Sequence, residues 1–229
     1  MGLTIHYQLS LKNASLAQVR DKIIALRNVA LQLPCVRINE LTELQGEACY
    51  FDQENLDDTH IFLKLRALDL IEVAIKGFSS TNPKYIIGFA ILPGKGSESA
   101  AFGLATHTEI TDENDWMWMG FCKTQYASNP EYGGLENFLK CHLMIVKMLD
   151  EAQKLGITCE VTDESGYWDN RNIEELAGVI DKHNMLMAAF TGKVTDDLEK
   201  SGINSVQAPI FDYPNFEYLE AKGNQVQDL

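Results

Sequence analysis

The chain has 229 residues, 45% hydrophobic and 23% charged, a globular composition that argues against wholesale disorder. Its formal net charge is -14, and residues 150–229 contribute -10 of it through 16 acidic and 6 basic side chains. Nucleic acids and anionic membranes are bound largely through Lys and Arg, so this charge argues against both as partners and favours a role in solubility.

The five cysteines are distributed as in a reduced intracellular protein. They form an odd set without a C-x-x-C pair, whereas secreted disulfide frameworks are usually even in number. The N-terminus has no signal-peptide pattern, and no apolar run reaches the roughly 18 residues that span a bilayer. We expect a soluble cytoplasmic protein with one domain over 1–206, or two closely packed lobes (1–110 and 111–206), and a C-terminal tail over 207–229.

The first half of the chain predicts several strands and one helix. Residues 3–9 alternate apolar and polar side chains, as a strand does. Ser15 and Gln18 form a capping-box pattern that begins a helix, and Pro34 ends it. The remaining strand candidates of this half are 36–51, bent around Gly46, then 61–66, 71–76, 85–92 and the weakly extended 102–110.

The second half predicts a strand–helix–strand unit over 116–126, 135–155 and 157–163, with Gly156 as the helix stop. A helix of about 20 residues is roughly 30 Å long, which is about the length of ten strand residues, so it can return the chain across a sheet. The two strands are then expected to be parallel, with a right-handed crossover. We predict an α+β fold with a mixed sheet, helices mainly on one face, this βαβ unit and a last helix from about Asn172.

Polar side chains follow both strands of this unit. Lys123 and Gln125 share a face with Phe121, and Asp163 shares a face with Val161. Parallel strands end at one sheet edge, where ligands commonly bind, and two helix N-termini there would add partial positive charge. The predicted ligand-binding residues are Lys123, Gln125, Tyr126, Asp163, Tyr167 and Trp168.

The sequence leaves three functions open, two of them at this edge of the sheet. The first is a non-catalytic protein that binds a small ligand with an acidic group, or a protein partner. The second is an enzyme, a hydrolase or transferase, in which Asp163 acts as acid or base and Lys123 stabilises negative charge. The third is an interaction protein whose acidic C-terminal third engages a basic partner. The competing interpretation is a purely structural ion pair between Lys123 and Asp163.

Metal and cofactor signals are weak, and we expect neither group. His107 and Glu109 share a face of an extended segment, but the sequence offers no third metal ligand. His142 lies on the apolar stripe of its helix, so it is more typical of a hydrogen-bonded core histidine than of a base for Cys141.

Three segments carry a family resemblance: residues 1–7 (MGLTIHY), 121–127 (FCKTQYA) and 161–169 (VTDESGYWD). On these residues the chain resembles a family of uncharacterised bacterial and archaeal proteins that read F-x-K-T-Q-[FY]-A and D-E-G-G-Y-W-E at the last two. Ser165 and Asp169 replace the first glycine and the final glutamate of that pattern. The resemblance extends to about residue 175 and implies no activity. It supports only a joint role of the two strand ends.

Overall fold

An antiparallel sheet organises the chain, which the computed structural model describes over residues 3–52, 54–55, 57–73, 77–200 and 207–227. Within these ranges the strands are β1 (Thr4–Ala14), β2 (Arg37–Ile38), β3 (Thr42–Gln45), β4 (Asp69–Val73), β5 (Gly77–Thr81), β6 (Tyr85–Leu92), β7 (Ala100–Thr106), β8 (Asn114–Lys123) and β9 (Thr158–Asp163). The helices are α1 (Leu16–Ala30), α2 (Ile61–Ala67), α3 (Gly134–Lys154), α4 (Tyr167–Asn170), α5 (Ile173–Lys200) and α6 (Phe216–Gln227). Short 3-10 helices cover Gly46–Cys49, Gln125–Ser128, Pro130–Tyr132 and Pro209–Asp212.

Seven strands form the main sheet, in the order β2–β6–β7–β8–β1–β9 with β3 also paired to β6, while β4 and β5 form a separate hairpin among the described residues. All of these pairs are antiparallel. The predicted α+β class is confirmed, but the sheet, predicted as mixed, is antiparallel in every pairing of the described residues. The predicted strand–helix–strand unit is also present as β8, α3 and β9, and its strands run in the same direction. They are not neighbours, however, because β1 lies between them and pairs with both.

The capping box predicted for α1 is confirmed. The Gln18 N–H donates to Ser15 Oγ, and the Ser15 N–H donates to Gln18 Oε1 at 2.8 Å. The helix buries Val19, Ile23 and Leu26 against the sheet. Local hydrogen bonding and the apolar stripe therefore act together to set where α1 begins and which face it buries.

Helices pack on the two faces of the sheet to different extents. Ile5, Tyr7 and Leu9 of β1 are buried in the main core together with side chains of α1 and α3. The opposite face carries α2, which reaches β6, β7 and β8 but leaves part of β8, β1 and β9 open. Met119 and Phe121 lie on that face and are 47% and 36% exposed. The helices thus pack mainly on one face, as predicted, and cover the other face to a smaller extent.

Residues 61–66, predicted as a strand, form helix α2 instead. A short apolar run fits strand and helix alike by its pattern, so packing decides between them. Here Leu63 and Ala67 are buried four residues apart, on one side of a helical turn. Lys64 adds an ion pair of 2.6 Å with Asp58, which precedes the helix. The strand predicted over 71–76 is described to Val73, and its last three residues lie outside the described ranges.

The C-terminal segment, predicted as a tail, contains a 3-10 helix and α6. Ile210, Tyr213 and Leu219 form a small buried cluster with Ala188 of α5. The packing of α6 on α5 is close at Gly223, where a Cβ would lie 2.1 Å from the carbonyl oxygen of Met185. None of the helices that the structure describes is long and apolar enough to cross a membrane.

Gly120 of β8 offers a test of the core packing. A Cβ at this position would lie 2.2 Å from the ring of Tyr7, whose hydroxyl donates to the Ala101 carbonyl oxygen at 2.7 Å. We expect Gly120→Ala to lower the free energy of unfolding by about 1–3 kcal/mol, because overpacking forces the ring to move. Urea denaturation measures this change.

Gly178→Ala on α5 is the matched control. It adds the same methyl group to an exposed helical position with no atom within 4 Å of the new Cβ. The substitution should stabilise the protein by up to about 1 kcal/mol through helix propensity. Equal stability of Gly120→Ala and the wild type would contradict the packing of Tyr7 across β8.

Candidate functional site

A chain of buried hydrogen bonds joins the ends of β8 and β9 through α3. The Nε2 atom of His142 lies 3.1 Å from Asp163 Oδ2, and both side chains are fully buried. The Nδ1 atom of His142 lies 3.0 Å from Thr124 Oγ1. With the Nε2 proton directed at the carboxylate, Nδ1 accepts a hydrogen bond from the threonine hydroxyl. His142 is therefore the hydrogen-bonded core histidine that its sequence position suggested.

Asp163 accepts further hydrogen bonds from the turn that follows it. The Ser165 N–H and Oγ–H donate to Oδ1 at 2.9 and 2.7 Å, and the Trp168 N–H donates to Oδ2 at 3.0 Å. Burial by itself would raise the pKa of Asp163. The hydrogen bonds from His142 and from Ser165 outweigh that effect and hold the pKa of Asp163 below its usual range. Asp163 is consequently an ionised carboxylate with an internal set of donors.

Gln125 belongs to a second buried network. Its Oε1 accepts from the Leu3 N–H at 3.2 Å, and its Nε2 donates to Asn184 Oδ1 at 3.4 Å. Asn184 in turn donates to Ser128 Oγ at 2.9 Å, and Ser128 Oγ lies 2.8 Å from the Tyr213 hydroxyl. These bonds tie the end of β8 to α5 and to the C-terminal segment.

Lys123 and Asp163 do not form the ion pair considered above. Cys122 and Asp163 are both in register with Ile5 of β1, which places Asp163 on the buried face. Lys123 is one residue further along β8, so its side chain lies on the opposite face. The buried partner of Asp163 is His142.

Two of the three aromatic residues predicted for the site pack around the buried network. Tyr126, Tyr167 and Trp168 are each half-buried. The Tyr167 ring makes an edge contact with His142 at 6.1 Å between centroids, and the Arg171 guanidinium covers Trp168 at 4.3 Å. Tyr126 instead packs against the cluster of Ala188, Ile210 and Tyr213. The predicted residues thus lie near one end of the sheet but do not form one site, because the polar groups of Gln125 and Asp163 are hydrogen-bonded inside the protein.

A groove lies on the other face of the sheet. This open-face groove has a volume of about 560 Å³ and lies between α2 and strands β8, β1 and β9. Its lining includes His6, Gln8, Arg66, Met119, Phe121 and Glu160. The alternation of β1 places His6 and Gln8 here, whereas Ile5 and Tyr7 face the core.

Arg66 lines the groove and packs its positively charged guanidinium against two aromatic rings. Its guanidinium carbon lies 3.5 Å from the centre of the Phe121 ring and 5.0 Å from that of Phe62. Its Nε atom is buried and lacks a hydrogen-bond partner in the described part of the chain. Burial is the main influence on the Arg66 pKa and lowers it, yet a guanidinium remains protonated at neutral pH. Arg66 is therefore a half-buried cation whose buried Nε–H has no acceptor among the described residues.

Sequence reasoning missed this residue because it placed 61–66 on a strand. The available signal was the solvent-facing side of β8, where Met119 and Phe121 alternate with buried residues. Adjacent large apolar side chains on such a face indicate that another element or a ligand packs there. The covering element could not be identified from that pattern.

The residues considered for a metal site have other partners. His107 Nε2 lies 3.1 Å from the Ala67 carbonyl oxygen, and Glu109 pairs with Lys84 at 3.1 Å. Among the residues that the structure describes, no group of three or more His, Cys, Asp or Glu side chains is arranged to hold a metal ion.

Comparison with known proteins gives no match for this chain, whether with protein-family models, with curated proteins or with solved structures. The resemblance drawn from the three sequence segments stays a prediction.

The buried pair can be tested with Asp163→Asn. We expect a loss of about 3–5 kcal/mol in the free energy of unfolding, because His142 and the turn donors then lack their carboxylate. Asp150→Asn is the control: it breaks an exposed pair of 2.9 Å with Arg171 and should cost at most about 1 kcal/mol. Urea denaturation of both variants at neutral pH gives the comparison.

The same pair should appear in the pH dependence of stability. The folded pKa of Asp163 lies below the unfolded value of about 3.9, so its ionisation stabilises the protein above that pH. The contribution is lost as the pH falls through the folded pKa. The stability gap between wild type and Asp163→Asn should be constant between about pH 5 and 7 and shrink below about pH 4. A stability difference that stays constant at acidic pH would show that the charge of the Asp163 carboxylate contributes nothing to stability.

Proposed function

We propose that this protein binds a small molecule that carries an anionic group on an apolar body, and that it does so in the open-face groove. The observation that carries this proposal is Arg66, whose buried Nε has no acceptor among the described residues. A buried donor without a partner costs about 1–3 kcal/mol, and such groups in native proteins call for an explanation. An acceptor supplied by a ligand removes this cost.

The charge of Arg66 favours an anion as that acceptor. None of the ion pairs within the described ranges includes Arg66, although the charge of Glu98 acts to raise the Arg66 pKa. The planar guanidinium offers parallel N–H donors that match the two oxygens of a carboxylate, or two oxygens of a phosphate. Its contact with Phe121 holds the group in place, so less side-chain entropy is lost on binding.

The remainder of the groove suits an apolar body. Leu65, Leu68 and Met119 contribute apolar side chains, and Phe121 exposes a third of its surface there. A volume of about 560 Å³ lies within the usual range of small-molecule sites, roughly 300–1,000 Å³. Burial of this surface by a ligand would contribute the main part of the affinity.

The polar residues of the groove orient the ligand. Arg66 lies on α2, whereas Gln8 and Glu160 line the groove from β1 and β9. The carboxylate of Glu160 disfavours an anion at its own side. The acidic group of the ligand is therefore expected at α2, with neutral donor groups such as hydroxyls facing Gln8 and Glu160.

A second candidate is the catalysis suggested by the strand ends. Thr124, His142 and Asp163 form a hydroxyl–imidazole–carboxylate chain, an order that hydrolases use. All three side chains are buried, so a substrate would have to displace the α4 turn to reach them. Labelling of Thr124 or Ser165 by a hydrolase-directed phosphonate probe, located by mass spectrometry, would favour this function. Absence of labelling on folded protein would count against it.

The groove is tested with two probes that share one apolar body, 1-naphthoate and 1-naphthylmethanol. We expect the wild type to bind the carboxylate about tenfold more tightly than the alcohol, because a hydrogen bond to a charged group contributes roughly 1.5–3 kcal/mol. Arg66→Met should remove this preference and leave the affinity for the alcohol nearly unchanged. Isothermal titration calorimetry measures both affinities.

Arg171→Met is the matched control, because it also removes a guanidinium that covers an aromatic ring, that of Trp168. It lies outside the residues that line the groove and should keep the wild-type preference. Wild type that binds both probes equally, or an Arg66→Met protein that keeps the preference, would overturn the proposal.

A further inference from the structure

A second cavity adjoins the open-face groove at Arg66. It has a volume of about 430 Å³, and it shares Arg66 and Phe121 with the groove. We call it the arginine cavity, because Arg37 of β2 also lines it. The Arg66 side chain thus borders both spaces, and a ligand held by its guanidinium can extend into either one.

The arginine cavity contains several donors without internal partners. The Arg37 side chain is exposed and makes no ion pair with the residues described by the structure. Asn39 and Ser99 add an amide and a hydroxyl, whose side chains form no hydrogen bond within those same ranges. Together with Arg66, these groups come from three separate parts of the chain: α2, the region of β2, and the residue before β7.

One carboxylate, that of Glu98, lines the same cavity. Its Oε2 accepts a hydrogen bond from the Lys123 N–H at 3.1 Å, and its own N–H donates to the Lys123 carbonyl oxygen at 2.9 Å. Glu98 is therefore tied to the end of β8, and its charge acts on Arg66 to raise the Arg66 pKa without a direct ion-pair contact. The charged side chains of the lining sum to +1, in a chain whose net charge is -14.

We infer that the anionic group of the ligand is a phosphate monoester, bound between Arg66 and Arg37 in the arginine cavity while the apolar body occupies the open-face groove. The inference rests on the proposed function and specifies its ligand class. A single carboxylate has two acceptor oxygens, fewer than the donors that two guanidiniums, an amide and a hydroxyl present in this cavity. A phosphate monoester carries a charge of about -1.5 to -2 at neutral pH and three acceptor oxygens, which matches two guanidiniums with an amide and a hydroxyl beside them.

The test adds 1-naphthyl phosphate to the two naphthyl probes, again by calorimetry on the full chain. We expect wild type to bind the phosphate at least tenfold more tightly than 1-naphthoate. Arg37→Met should abolish that gain and leave the affinity for 1-naphthoate unchanged. Glu98→Gln should tighten phosphate binding several-fold, because it removes the one negative charge that lines the cavity.

Lys193→Met is the control for loss of one positive charge, since this exposed lysine of α5 lines neither space. It should bind all three probes as wild type does. If Arg37→Met leaves the ratio of phosphate to carboxylate affinity unchanged while Arg66→Met still removes the preference for 1-naphthoate, the phosphate inference is wrong and the proposed function stands. If no naphthyl anion binds wild type, both fall.

Discussion

The insertion of β1 between β8 and β9 is the constraint on which the rest of this structure depends. Residues 5–10 of β1 are each in register with one residue of β8 and one of β9, so every second position across the three strands shares a face. The row through Ile5 joins Cys122 to Asp163 on the buried face. The next row, through His6, joins Phe121 to Thr162 on the open face. One register therefore produces both the buried network and the floor of the groove, and a slip of one residue would exchange them.

The two polar features differ in how their charges are satisfied. Asp163 is buried with donors from His142, Ser165 and the Trp168 backbone, an arrangement in which removal of one partner is costly and the gain over an apolar core is small. Its role is to hold strand ends, helix and turn in one geometry. Arg66 has aromatic cover but no acceptor for its buried N–H among the described residues. An incomplete set of hydrogen bonds is the physical sign that distinguishes the proposed binding residue Arg66 from the structural residue Asp163.

The short helix α2 connects the fold to the proposed site. Seven residues cannot form a stable helix alone, so α2 depends on its packing over the sheet and on the pair of Lys64 with Asp58. That packing places Arg66 over Phe121, two residues before the end of β8. Arg37 and Arg66 form no ion pair within the part of the chain that the structure describes, and these two positive charges contrast with the negative net charge of the protein. An anionic ligand that meets a net charge of -14 needs such a local positive field in order to bind.

The sequence by itself determined the features that depend on neighbouring residues. The capping box of α1, the strand β6, the strand–helix–strand order from β8 to β9 and the α+β class follow from local hydrogen bonds and from apolar periodicity, which a single segment contains. It also indicated that polar groups gather at the ends of β8 and β9. Only the tertiary structure decided the insertion of β1, the helical state of 61–67, the pairing of Asp163 with His142 and the position of Arg66. Each of these depends on contacts between residues far apart in the chain, and a short run such as 61–67 has no preference strong enough to decide its own conformation before that packing forms.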